Sequence, residues 1–193
     1  PADGGPTHAI FINGPNEQTG QALTVLNDGS VVAAVRSVDY VNFSTGTLTT
    51  AAQLRGAADV ALAGLTSGLS PTWAQQGGSL NNDTPRALAV LPSGDFVLAT
   101  NLSGDSQFNT VQLTAGSVSS QSPALIRYAP SGSPQVARAL GPPTLESQIW
   151  GVVADPQGGL FIAGQSAQPY AFEAAVDGGT KTNSVFIARV RAP

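Results

Sequence analysis

Residues 86–100 read RALAVLPSGDFVLAT. Two short apolar runs flank a break of Pro, Ser, Gly and Asp, which are the residues that favour turns. Each run is too short for a helix, and the pairing of such runs across a turn is typical of a β-hairpin. This stretch therefore predicts two antiparallel strands.

The same pattern occurs at residues 21–35 and 150–164. Its turn glycines, Gly29, Gly94 and Gly158, lie 65 and 64 positions apart. A fixed period of this size is the signature of a repeat architecture. The chain is therefore predicted to contain three copies of one β-rich unit of about 64 residues.

Two further apolar segments follow each hairpin. One recurs at residues 60–65, 124–129 and 185–190, and the first two copies continue through turn residues into 71–78 and 134–141. Each unit thus supplies four strands, A to D in chain order, and four antiparallel strands per repeat form a blade of a β-propeller. We predict an all-β fold in which residues 1–193 form a single propeller-like domain of three four-stranded blades.

The two ends of the chain predict which strand completes the last four-stranded sheet. Residues 6–14 resemble the D strand at 71–78, and the chain ends on the C strand at 185–190. The N-terminal strand is therefore expected to complete the last blade, which hides a sheet edge. Propellers usually have four to eight blades. Three interpretations stay open: two chains form a six-bladed ring, the chain is part of a longer one, or three sheets form a compact trefoil-like unit.

A long connection joins strands B and C in each unit, at residues 36–58, 101–122 and 165–183. Connections of this length are usually functional or partly disordered. Phe43, Phe108 and Phe172 recur in them at spacings of 65 and 64 residues. We expect each Phe to anchor its connection against a sheet.

The repeat resembles the SBBP family of bacterial β-propeller repeats. The motif that carries the resemblance is an Ala-rich strand, an Asp-x-x-Gly turn, a second apolar strand and a later Ala-Phe-Val-Ala-Lys-Leu strand. The third unit, at residues 152–164 and 185–190, matches this motif best, and the second, at 87–100 and 124–132, is close. The first unit matches least well, because it has Gly64 and Leu65 where the other two copies have an Arg followed by Tyr or Val. The resemblance implies a propeller fold and an exported bacterial setting, and no catalytic residues.

Composition excludes several classes of function. Charged residues are 10% of the chain, the net charge is −4, and there is no basic stretch that could follow a phosphate backbone, so we expect no nucleic-acid partner. The apolar runs are too short to span a membrane. With no cysteine and no phosphate-loop motif, we expect no thiolate metal site and no cofactor. Low charge with abundant Gly, Ser and Thr favours an exported protein at the bacterial cell surface.

Catalytic groups are scarce. His8 is the single histidine, and its place on a predicted strand favours a packing role over a catalytic one. Glu17, Asp83 and Glu146 lie one each in the connections between units, where they could gather near a ring axis and bind a cation or a sugar. Ordinary solvated loop residues are the alternative interpretation. No metal-ligand spacing is present.

Gln21, Arg86 and Trp150 occupy the same position, just before each A strand. The repeat keeps the backbone there and varies the side chain, as a binding rim would, and Trp and Arg are favoured anchors of recognition sites. The alternative is that Trp150 packs between sheets and Arg86 pairs with a carboxylate such as Asp83.

From these features we predict a non-catalytic module that binds a protein or a glycan at the cell surface. Its predicted binding residues are the three rim positions and the three connection carboxylates. One alternative is a structural subunit that self-associates through exposed blades into a fibre or layer. Another is an enzyme that uses the central channel. Self-association is expected in either of the first two cases, because three blades leave apolar faces open.

Overall fold

A computed structural model describes residues 8–38, 41–43, 57–115, 118, 120–141, 146–166 and 184–193. All of the regular elements in these residues are β-strands, which confirms the predicted all-β class. In chain order the strands are β1 (Ile12–Asn13), β2 (Gln18–Val25), β3 (Val31–Ser37), β4 (Asn42–Phe43), β5 (Asp59–Leu65), β6 (Pro71–Gly78), β7 (Thr84–Val90), β8 (Phe96–Leu102), β9 (Gly104–Phe108), β10 (Val111–Ala115), β11 (Ser122–Tyr128), β12 (Pro134–Ala139), β13 (Ser147–Ala154), β14 (Gly159–Ser166) and β15 (Ser184–Arg191).

Three antiparallel sheets contain most of these strands. The first has the order β10-β9-β6-β5-β3-β2, the second β12-β11-β8-β7 and the third β13-β14-β15. The second sheet contains strands A, B, C and D of one repeat (β7, β8, β11 and β12), and they lie side by side in that order, as predicted. The first sheet contains the same four-strand arrangement, and the third contains strands A, B and C of the last repeat.

The hairpin turns confirm the sequence period. Gly29, Gly94 and Gly158 have φ of 83°, 92° and 84°, in the left-handed region that favours glycine. The same backbone hydrogen bond closes each turn at 2.8 Å, donated for example by the Leu91 N–H to the carbonyl oxygen of Asp95. The three A–B hairpins are therefore one structure repeated.

The prediction that the N-terminal strand completes the last blade is wrong in the described residues. Ile12 pairs with Phe43 and Asn13 with Asn42, so β1 and β4 form a separate two-stranded sheet. Ile10 and Ile12 pack against the outer face of the first sheet, at the opposite end of the stack from β15. Burying these two side chains there favours that position over an edge of the third sheet.

The second long connection is not a simple loop. It contains the hairpin β9–β10, and β9 continues the first sheet by pairing Phe108 with Gly77 and Gln107 with Gly78. Phe108 is only 2% exposed, which confirms that it anchors this connection. The side chain of Phe43 and the whole of Phe172 lie outside the described residues, so these two anchors stay predictions.

The sheets pack face to face in chain order around two apolar layers. Between the first and second sheets the aromatic rings of Trp73, Phe96 and Tyr128 form a stack, with centroids 6.1 Å and 5.1 Å apart. The indole Nε1 of Trp73 also donates a hydrogen bond to the carbonyl oxygen of Pro130, 3.1 Å away in the turn between β11 and β12 of the second sheet. A second layer, which includes Leu125 and Ile162, separates the second sheet from the third.

Candidate functional site

Each A strand has a β-bulge at the same place. The pairing shifts register between Gly20 and Ala22 in β2, between Pro85 and Ala87 in β7, and between Ile149 and Gly151 in β13. The extra residues at these bulges are Gln21, Arg86 and Trp150. A bulge leaves its extra residue out of the ladder and redirects the side chain. The predicted equivalence of the three positions is therefore confirmed, and the bulge is its structural cause.

The second and third bulge residues are in contact. The guanidinium carbon of Arg86 lies 4.9 Å from the ring centroid of Trp150, in cation–π geometry. Trp150 is 50% exposed, so much of the indole faces solvent while Arg86 covers part of it. The contact depends on the close approach of β7 and β13, the A strands of neighbouring sheets.

Arg86 has unused hydrogen-bonding capacity in this site. Its Nε is buried and has no hydrogen-bond partner in the described part of the chain. Burial, followed by the positive charge of Arg36, lowers the pKa of Arg86. Arginine nevertheless stays protonated in proteins, so the site keeps a cation with an unpaired donor.

Arg36 brings a second positive charge to the same region. Its Nη1 lies 3.9 Å from Glu17 Oε1, at the limit of an ion pair, and the Glu17 side chain is 70% exposed. An exposed pair of this length contributes little attraction. Arg36, Arg86 and Glu17 together carry one net positive charge in the region around Arg86, which suits a ligand with an acidic group. Gln21 is half-buried at the equivalent bulge of β2, the strand that also contacts β7.

Asn101 holds the bulge that presents Trp150. Its buried amide accepts a hydrogen bond from the Ile149 N–H at 2.8 Å and donates one to the Ile149 carbonyl oxygen at 3.3 Å. Ile149 directly precedes Trp150 and is itself fully buried. Sequence reasoning missed Asn101, because a lone Asn at a strand end gives no signal of a partner 48 residues away.

The three connection carboxylates have different environments. Asp83 is fully buried, whereas Glu17 and Glu146 are exposed. The Asp83 carboxylate accepts hydrogen bonds from the N–H of Ser79, from Ser79 Oγ at 3.1 Å and from the Ser103 N–H at 2.9 Å. Its hydrogen bonds thus fix the connection between the first and second sheets.

Asp59 is a second buried acid, and its carboxylate lies beside that of Asp83. Desolvation raises the pKa of Asp83 even though its hydrogen bonds oppose the shift. A Cβ at Gly78 would overlap both carboxylates, so this residue has to be glycine. The sequence analysis did not identify Asp59, which is the first residue of β5 and lies in no recognisable motif.

In the described ranges, no three His, Cys, Asp or Glu side chains come close enough to hold a metal ion. His8 lies before the first strand and is exposed, so the packing role predicted for it on a strand is wrong. No helix in that part of the chain is long and apolar enough to cross a membrane. Neither protein-family models nor curated proteins match this chain, so its function has to be inferred from its own residues.

Proposed function

We propose that this chain is a non-catalytic binding module that presents a rigid β-sheet surface to a protein or a glycan. The observation that carries the proposal is the stacking of Arg86 on the half-exposed ring of Trp150 at two equivalent bulges. An exposed indole leaves an apolar surface in water that a bound partner would cover. Trp and Arg are also the residue types that contribute most at recognition sites.

The chemistry of the site favours a ligand with both a flat apolar surface and an acidic group. The solvent-facing part of Trp150 offers a surface on which a sugar ring or an apolar side chain can pack. Arg86 and Arg36 offer guanidinium groups, which bind carboxylates in a bidentate geometry. Asn101 fixes the backbone before Trp150, so little order has to be gained on binding.

We infer that the three sheets act as propeller-like blades of an exported bacterial protein of the SBBP type. Supporting this, β2 contacts β7 and β7 contacts β13, so the A strands approach one another as the innermost strands of neighbouring blades do. The low fraction of charged residues supports the cell surface as its location.

A second function, a structural subunit of a surface fibre or layer, is favoured by one separate observation. The outer face of the third sheet exposes a group of apolar side chains that no other described segment covers, including Val185 and Ile187. Exposed patches of this kind mark association surfaces.

Binding can be tested by calorimetric titration of the wild type and each variant with three probes: a uronic-acid trisaccharide, a neutral trisaccharide and a glutamate-rich peptide. In the wild type and in Arg86→Gln, tryptophan fluorescence gives a second readout, because the half-exposed Trp150 is one of the two tryptophans. We expect at least one acidic probe to bind and to change the fluorescence. Trp150→Ala and Arg86→Gln should each weaken that binding at least about tenfold.

The matched control is Phe161→Ala, because Phe161 is an aromatic residue of the same sheet with nearly the same exposure as Trp150. This variant should bind the probe as the wild type does. The proposal is wrong if no probe binds below about 1 mM, or if binding survives Trp150→Ala unchanged.

A further inference from the structure

The third sheet has an apolar outer face, made of the side chains of Val153, Phe161, Val185 and Ile187 and here called the open face. Val153 pairs directly with Phe161 across β13 and β14, and Ile187 pairs with Ala163 across β14 and β15. The alternate residues of the same strands, such as Ile162 and Phe186, point the other way into the layer against the second sheet. The four exposed side chains therefore form one continuous surface.

The repeat itself shows what such a face packs against. Ile187 corresponds to Leu125 in the second sheet and to Leu62 in the first, because each pairs with the equivalent Ala of its B strand. Leu62 and Leu125 are 1% and 0% exposed, whereas Ile187 is 75% exposed. In both of the buried cases the covering element is the next sheet.

Phe161, the aromatic residue of the open face, also occupies a position that is buried in the other two sheets. Phe161 corresponds to Val97 and Val32, which are fully buried under the third and second sheets, but Phe161 is 47% exposed. Two of the three equivalent faces are thus sheet-to-sheet interfaces, and the third has the same apolar character but no covering sheet among the described strands. A β-sheet is therefore the element that fits the open face.

A head-to-tail contact between two copies would need the outer face of the first sheet. On β3 and β5 that face already packs against Ile10, Ile12 and Val41 of its own chain, whereas Leu23 and Val25 of its edge strand β2 stay exposed. A head-to-tail ring of two chains would therefore have to displace this segment and re-expose its isoleucines. The open face of a second copy, in contrast, is equally apolar and equally free.

We propose that the open face packs on the same face of a second copy and forms a two-fold symmetric dimer. In this arrangement the third sheets of the two copies form a sandwich, and the first sheets lie at the far ends. A two-fold contact is closed, because each open face is used once and no free copy of it remains. This inference does not depend on the Arg86–Trp150 site being a binding site.

The charge on the open face is compatible with self-pairing. Arg189 lies on this face, but its Nε donates to Asp155 Oδ2 at 2.9 Å and its guanidinium carbon lies 5.9 Å from the Phe161 ring centroid. Arg127 holds the equivalent position in the second sheet. It is paired with Asp95 and donates to the Pro193 carbonyl oxygen at 3.5 Å, inside an existing sheet-to-sheet interface. A neutralised arginine is thus tolerated in such a contact.

The size of the face predicts a weak dimer. Three strands about 4.8 Å apart and eight residues long at about 3.3 Å per residue cover about 14 by 26 Å, or about 370 Å² on each copy. The total, about 700 Å², is below the roughly 1,200 Å² of a standard stable interface. Dimerisation should therefore depend on concentration, and we expect it in the micromolar range or weaker.

Sedimentation equilibrium over a wide concentration series tests the proposal. The wild type should show a reversible monomer–dimer equilibrium with no larger species. Ile187→Lys should raise the dimer Kd by about 30-fold or more, because it buries an unpaired charge within the contact. Leu23→Lys is the matched control, since Leu23 is an equally exposed strand residue on the outer face of the first sheet and should leave the Kd unchanged.

Single-cysteine variants give an independent test because the chain has no cysteine of its own. Ala163→Cys, on the central strand β14 of the open face, should form a disulfide-linked dimer with itself on mild oxidation, and a mixture of Leu23→Cys with Ala163→Cys should give no mixed dimer. A wild type that stays monomeric at millimolar concentration, dimers lost in Leu23→Lys, or open-ended polymers would each overturn the proposal. Circular dichroism of each variant establishes that a lost dimer is not a lost fold.

Discussion

The side-chain amide of Asn101 forms hydrogen bonds with both backbone polar groups of Ile149, across the boundary between the second and third sheets. Both residues are buried, so water cannot replace these bonds if the amide is removed. The pair therefore links the end of strand B in one repeat to the bulge of strand A in the next. It connects the stability of the sheet stack to the position of Trp150.

We expect Asn101→Ala to lower the free energy of unfolding by about 3 kcal/mol, because it leaves a buried N–H and a buried C=O without partners. Urea denaturation followed by circular dichroism measures the loss. Gln112→Ala, an exposed polar residue of β10, is the control and should change stability by less than about 0.5 kcal/mol.

The same variant should also change the surroundings of Trp150 before global unfolding begins. Quenching of tryptophan fluorescence by acrylamide in native buffer reports this change, and it should increase in Asn101→Ala but not in Gln112→Ala. Native quenching equal to the wild type would show that the amide supports the sheet contact without positioning Trp150.

Substitutions at two turn glycines can distinguish destabilisation by backbone strain from destabilisation by steric overlap. Gly94 and Gly132 both have left-handed φ, of 92° and 82°. A Cβ at Gly94 would lie no nearer than 3.8 Å to a neighbour, the Asn27 side-chain amide, whereas a Cβ at Gly132 would overlap the ring of Trp73. Gly94→Ala should therefore cost about 1 kcal/mol, from backbone conformation alone.

Gly132→Ala should cost clearly more, because Trp73 has to move away from Pro130 and from its stack on Phe96. Thermal unfolding of the two variants side by side gives the comparison. Equal losses in the two proteins would mean that the Trp73 ring adjusts freely and does not hold the first two sheets together.

The turn glycines also show how far the sequence determines this fold. Gly29, Gly94 and Gly158 predict the A–B hairpins because turn chemistry and strand pattern are local properties. The partner of Ile12 is not local: an apolar strand pattern fixes which side of a strand is buried, but not which sheet covers it. The β9–β10 hairpin had one local signal, Asn109 at φ 51°, since Asn is among the few residues other than glycine that adopt this conformation.

In the candidate site, too, some features follow from the sequence repeat and others depend on how the sheets pack. Gln21, Arg86 and Trp150 could be aligned by the repeat, because equivalent positions follow from the period alone. The stacking of Arg86 on Trp150 depends on how the second and third sheets pack, which no single repeat encodes. Asp83 was identified by its place in a connection, yet its burial next to Asp59 follows from contacts between β5 and the start of the next repeat.

Phe108 should be important for the stability of the β9–β10 hairpin. Its ring packs over Gly77, where a Cβ would overlap it, and it is almost fully buried. We expect Phe108→Ala to cost about 3 to 5 kcal/mol, as for other large-to-small changes at buried aromatic residues. Limited proteolysis should then cut within residues 104–115 faster than in the wild type.

Leu113→Ala is a useful comparison for this variant, because Leu113 lies on β10 of the same hairpin but is only partly buried. It should cost less than Phe108→Ala and should leave cleavage of the hairpin slow. If Phe108→Ala were cut no faster than Leu113→Ala, the hairpin would be held by its strand pairing with β6 rather than by the aromatic ring.

The buried pair of Asp83 and Asp59 should make stability depend on pH in an unusual direction. Desolvation raises the pKa of Asp83 in the folded protein above its ordinary value. Its contribution to stability is therefore largest when the group is protonated in both states, and it falls as the pH rises from the unfolded pKa through the folded one. Asp155 has a lowered pKa, from the Gln157 N–H and from Arg189, and contributes with the opposite sign.

The two contributions can be separated by comparing the wild type with Asp83→Asn, which keeps one acceptor oxygen and cannot ionise. The free energy of unfolding of each protein should be measured from about pH 2 to 7, a window that extends to both sides of the ordinary aspartate pKa. The variant should gain stability relative to the wild type as the pH rises, because the wild type alone has to ionise a buried acid. Arg189→Gln should show the reverse trend, since it removes a partner that favours the ionised form of Asp155. Parallel pH profiles for the wild type and Asp83→Asn would mean that the hydrogen bonds from Ser79 and Ser103 fully offset the cost of burying the charge.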